Sequence, residues 1–216
     1  MWDGRLRGFG PIGLLAIVAI LLGNFLFVPL SAILIVLWAR ASRTPWRDLG
    51  FVRPGNWVIT IASGVVFGML FKLAMKSIVM PLLGADPVNQ AFRYLQGNTA
   101  ALPGILFLVI VGAGFGEETL FRSYAFERLR RVAGTSVAAT ILTVVVTSAW
   151  FGAVHYPFQG VPGVQQATIV GVIFGTIYAV TRTIPMLMIA HAAFDVTAVA
   201  LIYWRLETQV AQWFFS

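Results

Sequence analysis

The chain has 216 residues, 59% of them apolar and only 11% charged, with a mean hydropathy of +0.86 and a net charge of +7. A soluble globular domain is nearer half apolar and a quarter charged, so this composition excludes one and indicates an integral membrane protein. Cysteine is absent, which excludes disulfides, thiol catalysis, iron–sulfur clusters and cysteine-type zinc sites. The positive charge does not point to nucleic acid, because the arginines stand in short clusters at the ends of apolar runs. That is the pattern of orientation signals, whose partners are the anionic headgroups of the lipid bilayer.

Six apolar segments follow in chain order, at about 12–38, 57–83, 103–127 (continuing as an amphipathic helix to about 131), 135–155, 164–181 and 184–204. A spanning helix needs about 20 apolar residues, so these segments use most of the chain. The expected fold class is all-α: a polytopic integral membrane protein of about six transmembrane helices, or more if some are broken or half helices, around a polar intramembrane cavity. Residues 1–216 read as a single membrane domain with no room for a separate soluble one. The first run, 12–38, is too long for a signal-peptide core and is expected to be a retained spanning helix. Trp38, Trp57, Trp204 and Trp213 lie near segment ends, where interfacial aromatics belong.

With six full spans, the 40–56 loop, the 128–134 turn and Arg182 carry eight arginines on one side, against Arg5, Arg7, Arg93 and Arg205 on the other. The side with eight is expected to be cytoplasmic, with both termini outside; one additional half-helix would invert that assignment.

Asp3, Asp48, Asp86, Glu127 and Glu207 fall in tails, loops or segment ends and are expected to need no special role. Glu117, Glu118 and Asp195 lie inside apolar segments, as do Arg122, His155 and His191. A carboxylate at the centre of a spanning helix costs about 2.5–3.5 kcal/mol on insertion scales, so these groups are expected to gather around a polar cavity. Glu118 and Arg122 are four apart and can pair on one helix face, whereas Glu117 points about 100° away. One carboxylate is then charge-balanced and the other faces the cavity. His191 and Asp195, and likewise Phe151 and His155, also stand four apart. Lys72 and Lys76 are expected to snorkel to a helix end, a place on a cavity wall being the other reading. The glycines at 112, 114 and 116 read as packing positions.

Glu117-Glu118-Thr119-Leu120-Phe121-Arg122 fits EExxxR, Phe151 to His155 fits FxxxH, and His191 to Asp195 fits HxxxD/N. In this order, on successive hydrophobic segments, the three motifs resemble those of the CPBP family of intramembrane proteases. That family contains the type II CAAX prenyl endopeptidases and bacteriocin-processing or immunity proteins. The resemblance covers the motif-bearing core, about 103–204, while the first two segments match only in being hydrophobic. Asp195 stands where the eukaryotic CAAX proteases have Asn, which places a charge where an amide donor would be.

The resemblance implies peptide-bond hydrolysis within a cell membrane, of the plasma or bacterial inner type. The substrate would be a membrane-anchored peptide or protein, or a lipidated tail. Glu117 would activate water with help from His155, His191 and Asp195 would stabilise the oxyanion, and Glu118 with Arg122 would complete the site. Both metal-dependent and metal-independent mechanisms are described for the family, so a single zinc ion on Glu117, His155 and His191 is one arrangement and a metal-free site the other. Two rivals from other classes are a non-catalytic scaffold or immunity protein and an ion-coupled transporter. The transporter predicts ionisable residues strung across the bilayer, the protease one cluster.

At 1.5 Å per residue, full spans would leave His155 and His191 roughly 10–15 Å apart in depth. A shared site therefore requires the Tyr156–Gly163 connection to dip into the membrane and line a water-filled cavity.

Overall fold

The computed structural model describes residues 2–215, and these are helical with no strand among them. The helices are α1 (Trp2–Arg7), α2 (Pro11–Leu26), α3 (Val28–Ala41), α4 (Trp57–Leu82), α5 (Thr99–Ala133), α6 (Val137–Ala153), α7 (Tyr156–Thr181), α8 (Pro185–Tyr203) and α9 (Glu207–Ala211). Helices α4, α5, α7 and α8 are long and apolar enough to cross a membrane. The shorter apolar helices α2, α3 and α6 complete a polytopic bundle.

Local signals set the boundaries. Asn56 caps α4 by accepting from the Ile59 amide at 3.1 Å, and Ser136 caps α6 through the Ala139 amide at 3.2 Å. Asn98 does the same for the first turn of α5, and a proline stands in the first turn of α8. Much of α5 takes the wider π-helical winding, over Leu108–Glu117 and Thr119–Tyr124.

The first apolar run differs from the expected single span. Phe27 is extended (φ −166°, ψ 115°) and Pro29 follows in the next helix, so the run breaks there and folds back on itself. Gly23 lets the two arms approach, since a Cβ at that position would lie 2.8 Å from Leu34 Cδ1. The arms are antiparallel: Trp38 Nε1, near the end of α3, donates to the Leu6 carbonyl of α1 at 3.0 Å. Helix α1 therefore lies at the same end of the bundle as the 40–56 loop. Arg5 and Arg7 join the eight arginines there, and Arg93 and Arg205 are left at the opposite end. The extra half-helix moves the N-terminal helix to the basic end, the side expected to be cytoplasmic, rather than to the opposite side where six full spans would put it.

Helix α8 is the centre of the bundle, packed against α4 and α5. Three glycines permit this. A Cβ on Gly68 would lie 2.0 Å from the Ala190 carbonyl oxygen, one on Gly64 2.9 Å from the Ile189 side chain, and one on Gly114 2.9 Å from Ala192 Cβ. Residues 190 and 192 flank His191, so close contacts on two sides fix where that imidazole points.

Candidate active site

The motif residues converge. Glu118 is fully buried, and its Oε1 accepts from Arg122 Nη1 at 2.8 Å and from His191 Nδ1 at 2.7 Å. The guanidinium of Arg122 lies over the Phe151 ring at 4.4 Å and near the Phe174 ring at 5.6 Å. Glu118 and Arg122 thus form the expected ion pair, and in doing so they also hold His191.

The other edge of the imidazole faces different groups. His191 Nε2 stands 3.7 Å from Glu117 Oε2 and 3.7 Å from Asp195 Oδ2. The two adjacent glutamates point to different sides of their helix, as the helical rotation requires, yet both reach one histidine because its two nitrogens lie on opposite edges of the ring. Glu117 retains 18% exposure and Asp195 26%, against none for Glu118. Among the described residues Glu117 makes no direct hydrogen bond, and the 3.7 Å gap is too long for one.

Phe151 settles the depth conflict between the two histidines. Its ring meets His155 edge-on at 4.7 Å and His191 edge-on at 6.0 Å, so one phenyl touches both imidazoles. Glu117 and His155 are also within electrostatic range of each other. His155 Nδ1 lies 2.7 Å from the Phe151 carbonyl, which can only accept, so the proton sits on Nδ1 and Nε2 is left free. The 156–163 connection is largely helical rather than irregular. It breaks at Gly160, whose φ of 61° is open to glycine, and Pro162 follows.

Phe158, Gln159, Pro162 and Gly163 of that kinked stretch line a cavity of about 540 Å³. Its other walls include Lys72, Gln166, Ala198 and Ile202. Ala198 and Ile202 follow Asp195 at helical spacing on α8, so the cavity runs from beside Asp195 toward the end of the bundle opposite the basic one. Lys72 is buried and does not snorkel: its Nζ donates to Gln166 Oε1 at 2.9 Å and lies 4.8 Å from the Phe194 ring. Lys76 pairs with Glu207 Oε1 at 3.1 Å and also donates to the Pro87 carbonyl. Gln166, Phe174 and Phe194 carry no motif and could be associated with the site only through the fold.

Among the described residues no group of three His, Asp or Glu side chains is arranged to hold a metal ion.

Residues 99–197 match the family model of the type II CAAX prenyl endopeptidase Rce1-like proteins. The match covers 99 of the chain's 216 residues and agrees with the resemblance that the three motifs carry. No curated protein and no solved structure matches it. The matched stretch runs from the start of α5 to just past Asp195 and contains all three motifs as well as Phe174, whose ring faces His191. That family is one of CAAX-type intramembrane endopeptidases, and the apolar helices make this chain an integral membrane protein, as such a peptidase must be.

Proposed function

We propose that this Rce1-like chain hydrolyses peptide bonds with a water activated by Glu117. The observation that carries the reading is the two-sided setting of His191: Glu118 holds Nδ1 at 2.7 Å, while Glu117 and Asp195 each stand 3.7 Å from Nε2, within reach of a bridging water. A water there gives one proton to Glu117, and its oxygen adds to the scissile carbonyl carbon. The carbonyl oxygen takes up the negative charge and accepts from a protonated Nε2 of His191. Glu117 then passes its proton to the departing amine. The free Nε2 of His155 accepts from the water and orients it. Glu118 and Arg122 act one step removed, by fixing the imidazole. Asp195 supplies negative charge to the same edge of His191, which an asparagine would not.

In this reading no step requires a metal, and the zinc arrangement on Glu117, His155 and His191 is the alternative that chelation tests. The substrate is a membrane-anchored peptide or lipidated tail whose chain enters the cavity between Lys72 and the kink at Gly160. The decisive experiment compares protein N- and C-termini in cells expressing the wild type or Glu117→Gln at equal membrane levels. Termini formed only by the wild type support proteolysis and name the substrate. Identical termini, where the wild type still has a phenotype, favour the scaffold reading.

A further inference from the structure

A second polar pocket lies at the basic end, away from the site above. Phe126, Arg130, Thr135, Thr140, Thr143, Ala179 and Arg182 enclose about 290 Å³ between the ends of α5 and α7 and the start of α6. Two arginines converge there, and among the described residues neither forms an ion pair. Their environment contrasts with that of Arg7, Arg122 and Arg128, each of which has a carboxylate partner. Among the described residues Arg182 lies over the Tyr178 ring at 4.9 Å, and Asp48 is within electrostatic range without forming an ion pair. Burial first, and then the positive charge of Arg130, holds its guanidinium below the usual arginine range. The Thr143 hydroxyl is committed to the Ala139 carbonyl at 2.8 Å, whereas among the described residues those of Thr135 and Thr140 make no side-chain hydrogen bond.

Two neighbouring guanidiniums with hydroxyl donors and no carboxylate in ion-pair contact form an incomplete set. The same helix ends are lined by apolar side chains in the open: Val132 is 69% exposed, Val137 79%, Ile141 59% and Val180 79%. A free anion would leave that apolar rim unused, while a lipid would cover it with acyl chain. We propose that this pocket binds the phosphate of an anionic phospholipid, with Arg130 and Arg182 on the phosphate oxygens, Thr135 and Thr140 donating beside them, and the acyl chains lying along Val137, Ile141 and Val180. The site concerns the bundle's seating in the membrane and is independent of the peptidase reading.

The test uses the full chain in phosphatidylcholine nanodiscs, titrated with phosphatidylglycerol and, in a separate arm, with inorganic phosphate, while thermal unfolding is followed. Phosphatidylglycerol is expected to raise the wild-type Tm saturably. The double variant Arg130→Gln/Arg182→Gln should need about tenfold or more lipid for the same shift, as loss of charge-assisted hydrogen bonds implies. A control with the same charge loss on exposed residues, Arg40→Gln/Arg53→Gln, should respond as the wild type does. Thr140→Val keeps both charges and should weaken the response in the same direction by a smaller factor; it also serves if the double variant fails to assemble. Equal responses from the double variant and the control, an unaltered response from Thr140→Val, or no wild-type shift would overturn the proposal. A shift with inorganic phosphate as large as that with the lipid would overturn its lipid part.

Discussion

Two buried ion clusters sit in this bundle, and they are built to opposite ends. At the basic end, Arg7 bonds Glu127 Oε1 at 3.0 Å and Asp48 Oδ2 at 2.7 Å, while Arg128 Nε takes Glu127 Oε2 at 2.6 Å. Arg128 and Arg131 both donate to the Arg7 carbonyl, at 2.9 and 2.7 Å. Both oxygens of Glu127 are used, and the cluster ties the N-terminal helix to the end of α5. At the centre, one glutamate of the pair is held by direct bonds and its neighbour is not. Glu118 Oε1 accepts from both Arg122 and His191, with its Oε2 buried and unpartnered among the described residues, whereas Glu117 makes no direct hydrogen bond there. A carboxylate paired with an arginine inside the bundle is held ionised and in place; one left 3.7 Å from an imidazole keeps its lone pairs for a water that bridges the two from the side. The comparison separates charges that hold the fold from a charge free to do chemistry.

Glu117→Gln should sharpen that contrast most. It keeps the shape and removes the base, so turnover should fall by about 10²–10⁴-fold, the usual range for a general base, with an unchanged melting temperature by circular dichroism. Glu118→Gln should do the reverse. It leaves the buried Arg122 without its countercharge, and a loss of about 3–5 kcal/mol in unfolding free energy is expected, with activity lost alongside. If Glu118→Gln melts like the wild type, Glu118 does not belong with the structural charges.

Arg7→Ala removes bonds at the basic end and should cost about 1–3 kcal/mol in stability, with kcat per folded molecule retained. A fall in kcat at constant fold would show that the two clusters are coupled. Dialysis against a metal chelator should leave activity unchanged, and loss with recovery on adding zinc would install the metal arrangement instead. The absence of native cysteine allows a topological check as well. Gly55→Cys should label from the same side of the membrane as a cysteine at Gly10, and Gly97→Cys from the other.

Much of the site was legible in the chain because its costs are local. Glu117, Glu118, Arg122, His155, His191 and Asp195 stand out as ionisable groups in apolar segments, and helical spacing alone pairs Glu118 with Arg122. The buried roles of Glu127 and Glu207 were not legible. Their partners, Arg7 and Lys76, lie 120 and 131 residues away, and a charge at a segment end looks the same whether solvated or paired. The fold-back at Phe27 was missed for a related reason: the run 12–38 is uniformly apolar, so only Pro29 and Gly23 marked a break that composition hides.

By itself the sequence determined the class of the protein, the segments that carry chemistry and the family they resemble. Hydrophobicity and helical periodicity act over a few turns and need no knowledge of neighbours. The tertiary structure decided what those residues face. Gly68 and Gly114 bring α4 and α5 close enough to α8 to fix His191, and Phe151 joins two histidines that sequence spacing had left apart. The fold also chose which glutamate is paired and buried and which stays partly exposed, because that depends on contacts between helices distant in the chain.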